Sequence, residues 1–186
     1  MMKKGYYCFV LLTVFFTGVF SQQNTYVFKQ LTEEHGLPGG TVRCLFQDSR
    51  GIIWLGVEST GLCKYDGYNF TLFESKTGDS LSLSNNVVES ISESSDGKLW
   101  VGTQDGLSIL DRGTQTFRSC FKQSNNPMSL PGNVVYDIEC LKNKSMLIAT
   151  DGGLAISKDG YSTIKTITIS PEKTICYDIF QSSDGY

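Results

Sequence analysis

DSRGIIWLG at residues 48–56 and SSDGKLWVG at residues 94–102 are two copies of one pattern, placed 46 residues apart. A degraded third copy, NKSMLIA at residues 143–149, keeps the register and has Leu147 at the tryptophan position. In the first two copies a polar turn containing glycine separates two runs of strand-forming residues, which predicts a β-hairpin because glycine supplies the positive φ that tight turns require. A recurrence at this period predicts a repeat architecture.

Three further segments recur around each hairpin and complete a unit of four short strands. A Leu-x-x-x-x-Val segment precedes the hairpin, and a Gly-Leu strand and an outer strand follow it. A lone four-stranded sheet cannot cover a large tryptophan, so the units are expected to stack face to face, and a period of about 46 residues is typical of a β-propeller. The predicted fold class is all-β, with four-stranded antiparallel blades in an incomplete ring of about three.

The repeat divides the chain into six segments. We expect a signal peptide at residues 1–21 and, at residues 22–36, an N-terminal outer strand that closes the ring in the full protein. Blades follow at residues 37–82, 83–129 and 130–172, and a fourth begins at residues 173–186. Because propellers usually have four to eight blades, we expect this sequence to be the N-terminal part of a longer chain.

The start of the chain predicts export. Two lysines at Lys3 and Lys4 precede an apolar run at residues 6–20, which is short for a membrane span and typical of a secretory signal peptide cleaved after Ser21. The alternative is an uncleaved anchor. Removal of this leader leaves 14 basic and 19 acidic residues, a net charge of −5, which disfavours contact with nucleic acid. We expect an exported, periplasmic location.

The remaining cysteines and the one histidine predict no metal site, no cofactor and no catalytic centre. Five cysteines follow the leader without a CxxC pair, so zinc is not expected; they are predicted to be packing thiols, with one disulfide as the alternative. His35 has no second histidine and no Gly-x-Ser-x-Gly segment to act with. We therefore expect it to be a polar loop residue.

The repeated segments resemble a known family. GLP at residues 36–38, the hairpins at 48–56 and 94–102, and the Gly-Leu pairs at residues 61 and 106 are similar to the two-component regulator propeller repeat, and the resemblance covers nearly all of residues 26–186. It implies the periplasmic sensor region of a hybrid histidine kinase of the Bacteroidetes type, with seven blades expected in the full protein. It also implies a β-sandwich, a membrane helix beyond this sequence, a homodimer and an oligosaccharide signal.

Ligand-binding residues are expected where the copies differ, because the residues that recur are needed by every blade as scaffold. Polar side chains in the loops after the second strand can bind sugar hydroxyls, and on the innermost strands an arginine can bind an acidic sugar while tyrosines pack on a pyranose ring. The alternative is a solvated loop rim. The candidates are Arg43, Glu58, Glu89, Gln104, Asp105, Tyr136, Asp151 and Tyr177.

The repeat, the leader and the missing catalytic motif leave three candidate functions. The leading hypothesis is a ligand-sensing ectodomain of a hybrid two-component histidine kinase, whose kinase and output domains lie outside the sequence. The first alternative is a secreted propeller that binds carbohydrate or protein without signalling. The second is a propeller polysaccharide lyase or glycosidase, disfavoured because no catalytic motif is visible.

Overall fold

Residues 27–158, 163–169 and 174–182 are described by a computed structural model. These residues form three four-stranded antiparallel sheets, each made of four consecutive strands paired in chain order. The all-β, propeller-type prediction is confirmed. The first sheet comprises β1 (Val42–Gln47), β2 (Ile53–Val57), β3 (Gly61–Tyr65) and β4 (Phe70–Phe73). The second sheet comprises β5 (Val88–Glu93), β6 (Leu99–Thr103), β7 (Gly106–Asp111) and β8 (Thr116–Cys120). The third sheet comprises β9 (Val135–Cys140), β10 (Met146–Thr150), β11 (Gly153–Ser157) and β12 (Ile164–Ile167).

The segments at the two ends of the chain lie largely outside the described residues. The predicted signal peptide at residues 1–21 is among these. Residues 27–32 and 174–182 are described but contain no strand. The outer strand predicted at residues 22–36 needs a last blade to pair with. It stays a prediction. The part of the chain that the structure describes contains no helix of the length and hydrophobicity needed to cross a membrane.

The sheets stack through their first strands. β5 lies against β1 and β2 of the first sheet, and β9 lies against β5 and β6 of the second. One repeat position shows the effect on burial: Ile91 and Ile138 are 8% and 3% exposed where a preceding sheet covers them, whereas Leu45 on β1 is 65% exposed. Each sheet therefore buries the apolar face of the next one, as expected for repeat units that cannot bury their core alone.

A glycine near the end of the second strand permits this close stacking. The position that a Cβ would take on Gly56 lies 2.9 Å from Cγ1 of Val88, and that on Gly102 lies 2.8 Å from Cγ1 of Val135. Neither glycine has a positive φ, so the requirement for glycine is steric. The third copy has Ala149 here, and it is fully buried.

Buried charges join the first sheet to the second at the hairpin end. Asp48 Oδ2 accepts hydrogen bonds from Trp54 Nε1 at 2.8 Å and from Arg112 at 2.9 Å. Arg112 also donates to Glu93 at 3.0 Å, and Glu93 accepts from the backbone N–H of Ser49 at 2.7 Å. Burial would raise the Asp48 pKa, but these donors and two backbone N–H groups lower it overall.

Trp100 occupies the same repeat position without such a partner. Ser94 stands where the first copy has Asp48, and the Trp100 indole N–H is buried with no acceptor among the described residues. The two tryptophans therefore share a packing role, 3% and 0% exposed, but differ in their hydrogen bonding.

The five cysteines among the described residues are free thiols, as the leading prediction has it: Cys44, Cys63, Cys120, Cys140 and Cys176. Burial raises the pKa of Cys44 and of Cys63 to about 11, which keeps both protonated at neutral pH. They act as small apolar side chains in the sheets.

Candidate functional site

A β-bulge occurs at the same place in the first strand of every sheet. In the pairing of β1 with β2 the register skips Arg43, in β5 with β6 it skips Glu89, and in β9 with β10 it skips Tyr136. A bulge leaves one residue out of the ladder and redirects its side chain. We define the inner-strand row as these three residues, which the bulges displace, together with Tyr177, which stands at the corresponding position of the fourth copy.

A second row lies at the same end of the sheets, immediately after the second strands. The backbone N–H groups of Glu58, Gln104 and Asp151 donate to the carbonyls of Thr41, Val87 and Val134 at 2.9, 3.1 and 3.1 Å, each just before a first strand. We call Glu58, Gln104 and Asp151 the turn row. Because the same bond recurs in all three sheets, it fixes each turn beside its inner strand.

The two rows are joined by ion pairs and hydrogen bonds. Arg43 donates to both carboxylate oxygens of Glu89, at 2.8–3.2 Å, and to Glu58 at 3.1 Å. Gln104 Nε2 donates to Glu89 at 2.9 Å. The Arg43 pKa is raised, chiefly by the hydrogen bonds to Glu89. Glu89 is thus bonded by donors from two sheets, and its side chain is only 13% exposed.

The other half of the inner-strand row is aromatic. The ring centroids of Tyr136 and Tyr177 lie 4.8 Å apart, with their planes tilted by 45°. Tyr177 is 65% exposed. Adjacent aromatic rings with open faces form a surface on which a pyranose ring can pack. The Tyr136 pKa is raised by burial first, and then by Tyr177, Asp151 and Glu89.

Sequence reasoning missed two interacting residues, of which Asn133 is the first. Its Nδ2 donates to Asp105 Oδ1 at 3.1 Å, while its own Oδ1 accepts the backbone N–H of Lys122. Asn86 in the previous repeat accepts the N–H of Ser75 in the same way. The signal was present, since both copies carry an asparagine two residues before the valine that opens the first strand.

Asp137 is the second residue that was missed. It follows the bulged Tyr136, and its carboxylate accepts the backbone N–H groups of Ile138 at 2.8 Å and Ile179 at 2.9 Å. Burial, and then the neighbouring Asp178, raise its pKa above the usual value. The signal was an aspartate in the third and fourth copies where the first two have cysteine and serine.

The eight predicted residues therefore gather on one surface rather than on separate loops. Asp105 directly follows Gln104 and accepts from Asn133, and Asp151 accepts the backbone N–H of Val134 at 3.1 Å. The Arg43 guanidinium, expected to be available for an acidic ligand, is instead already bonded to two glutamates. Ligand binding by these residues stays a prediction.

His35 caps a short helix in the described part of the chain. His35 Nδ1 lies 3.2 Å from the backbone nitrogen of Thr32 and 2.9 Å from its Oγ1, which caps a 3₁₀ helix at Glu33–His35. This is a structural role at an exposed position. Across residues 27–158, 163–169 and 174–182, no three His, Cys, Asp or Glu side chains are grouped to hold a metal ion.

Comparison with known proteins agrees with this architecture. A family model described as two component regulator propeller matches residues 36–59 and 82–105. Histidine kinase P4 of Formosa agariphila is 32% identical over 84 residues, which are 45% of this chain and 6% of that protein. The chain thus spans a small part of the length of this relative.

Solved structures share the fold. The extracellular domain of a hybrid two-component system from B. thetaiotaomicron superposes with a TM-score of 0.60 at 24% identity, covering 82% of this chain and 20% of that one. Virginiamycin B lyase from Staphylococcus aureus also gives 0.60, at 13% identity, covering 80% and 48%. Similarity at these identities establishes the fold alone. The chain is therefore similar to the two-component regulator propeller proteins in two of its repeats and shares the propeller fold.

Proposed function

We propose that this chain is the ligand-sensing propeller of an exported hybrid two-component histidine kinase, and that its signal is an oligosaccharide bound over the inner-strand and turn rows. The observation that carries the proposal is the recurring bulge. It directs one side chain from each inner strand to one surface. A regular ladder would stabilise each sheet equally well, so stability does not require the bulge. Bulges are concentrated next to functional sites for this reason.

The composition of the surface suits a sugar. Tyr136 and Tyr177 offer aromatic faces, and the carboxylates of Asp151 and Glu89 are close enough to Tyr136 to contribute to its raised pKa, after burial and Tyr177. Sugar-binding sites combine an apolar platform with polar groups that fix orientation. The kinase-related relative supports the signalling part of the proposal. Binding would act by stabilising one arrangement of the sensor over another, since a ligand shifts an equilibrium only by its difference in affinity for the two states.

Loss of the aromatic platform is expected to abolish most of the affinity. The full chain would be screened against an array of neutral, amino and acidic oligosaccharides, beside the Tyr136→Ala/Tyr177→Ala variant. We expect wild-type binding to at least one class and an affinity about tenfold or more lower in the variant, because stacking contributes on the order of 1 kcal/mol per ring. Calorimetry on the retained glycans would measure the change.

Tyr68→Ala is the matched control, since Tyr68 is 89% exposed in the turn between β3 and β4 at the opposite end of the sheet. Two outcomes would contradict the proposal. One is that the array retains no glycan of any class. The other is that the double variant and the Tyr68 control bind every glycan with equal affinity.

A further inference from the structure

We infer, building on the proposed sugar site, that the oligosaccharide bound there is neutral or carries an amino group, and that acidic sugars are rejected. Arg43 considered alone would favour a uronic acid. Its bonding to Glu58 and Glu89 reverses that preference. Three features of the surface carry the inference: where its donors point, what net charge it has, and which of its atoms remain open to a ligand.

The nitrogen donors of the surface are already engaged by carboxylates of the protein. Arg43 donates through Nε, Nη1 and Nη2 to Glu89 and Glu58. The amides of Gln104 and Asn133 donate to Glu89 and Asp105. A carboxylate or sulfate on a ligand would compete with these protein carboxylates for the donors, and displacement of Glu89, whose side chain is 13% exposed, would leave it without its cation.

The fixed charges also oppose an anion. One guanidinium, on Arg43, stands among four carboxylates on Glu58, Glu89, Asp105 and Asp151, which gives a net charge of −3 for these residues. The field reaches the aromatic platform, because Asp151 and Glu89 contribute to the raised Tyr136 pKa after burial and Tyr177. A negative ligand placed on the platform would meet like charges, and such contacts strongly disfavour binding.

Carboxylate oxygens remain available to a ligand at the rim of this surface. The side chain of Glu58 is 45% exposed and only its Oε1 is held by Arg43, and Asp105 is an exposed residue whose Oδ1 alone is bonded through Asn133. Carboxylate oxygens accept hydrogen bonds and donate none when ionised. Sugar hydroxyls satisfy such acceptors, and an ammonium group does so with added charge attraction.

The test compares three tetrasaccharides with the same β-1,4 linkage, built from glucose, glucosamine or glucuronate, by calorimetry on the full chain at low salt. We expect the glucosamine and glucose probes to bind about tenfold or more tighter than the glucuronate probe. We also expect added salt to weaken binding of the glucosamine probe and leave that of the glucose probe unchanged, because salt screens exposed charges.

A charge variant distinguishes the field from a mere difference in shape. Asp105→Asn/Asp151→Asn keeps the Oδ1 acceptors used by Asn133 and Val134 while removing two charges. It is expected to raise glucuronate affinity about tenfold and to lower glucosamine affinity. Asp111→Asn, at the end of β7 and at the opposite end of the second sheet, should leave all three affinities unchanged.

Each outcome decides one part of the account. Glucuronate binding as tightly as glucose in the wild type, or unaltered in the Asp105→Asn/Asp151→Asn variant, would overturn the inference and leave the sugar site standing. Absence of all binding, both here and on the wider array, would overturn the sugar site itself. A preference for the neutral and amino probes that is reduced only in the Asp105→Asn/Asp151→Asn variant would support both.

Discussion

Replacing Arg112 with methionine is expected to lower the free energy of unfolding by about 3–5 kcal/mol, the range for removing one partner of a buried ion pair. The Asp48 side chain is completely buried and that of Arg112 is 11% exposed. The substitution keeps most of the apolar stem but leaves the carboxylates of Asp48 and Glu93 without their shared cation. Unfolding of the full chain in urea, followed by tryptophan fluorescence, would measure the effect.

Lys122→Met is the matched control, because this exposed lysine lies in the loop between the second and third sheets. Its replacement is expected to change the free energy of unfolding by less than about 0.5 kcal/mol. If Arg112→Met proved no more destabilising than the control, Arg112 would not join the two sheets as described.

Replacing Gly102 with valine is expected to be comparably harmful, at about 3 kcal/mol, the upper part of the range for overpacking. A Cβ here would meet Ser90 Oγ at 2.5 Å and the Val135 carbonyl oxygen at 2.9 Å, and the latter belongs to the backbone of the next sheet. The sheets would have to separate to admit the side chain. Thermal and urea unfolding would both report the loss.

Gly113→Ala provides the comparison, since Gly113 lies exposed in the turn between β7 and β8, where a Cβ would meet only the Asp111 carboxylate at 3.2 Å. A change near zero is expected for this variant. Equal stability of the Gly102 and Gly113 variants would show that the second and third sheets are not packed as closely as the structure has them.

The repeat alone predicted the architecture because its turn glycines and its buried tryptophan or leucine have independent physical causes. Turn glycines at residues 51 and 97 specify the hairpins, and a tryptophan or leucine once per unit requires a neighbouring sheet to cover it. The structure places Trp54 and Trp100 in equivalent buried positions. Local chemistry and packing thus indicated the same fold, which is what makes a repeat sequence readable.

The sequence supplied the candidate residues of the site, which stay a prediction, but it did not supply the contacts among them. Positions that differ among copies identified Arg43, Glu89 and Tyr136. Nothing in the spacing shows that a bulge in each first strand displaces one of them, or that Arg43 directs its donors to two glutamates. Such pairings join residues 15 and 46 positions apart. They depend on how closely two sheets approach each other, and a single sequence does not contain that distance.

The hydrogen bonding of the two tryptophans illustrates the same limit. Asp48 and Ser94 are both small polar turn residues, and either suits a hairpin. Only the structure shows that Asp48 turns inward to Trp54 and Arg112, while the Trp100 indole has no equivalent acceptor among the residues described. The buried Asp48 carboxylate, which joins the first two sheets, therefore has no counterpart in the second copy, although the two copies look alike in sequence.

The central claim is that the first strand of each unit packs on the glycine of the unit before it. Proton–proton nuclear Overhauser effects in the full chain test this directly. The account predicts cross-peaks from the Gly56 Hα protons to the Val88 methyl groups and from the Gly102 Hα protons to the Val135 methyl groups, at equal strength. Absence of both, in a chain whose strands are otherwise assigned as described, would contradict it.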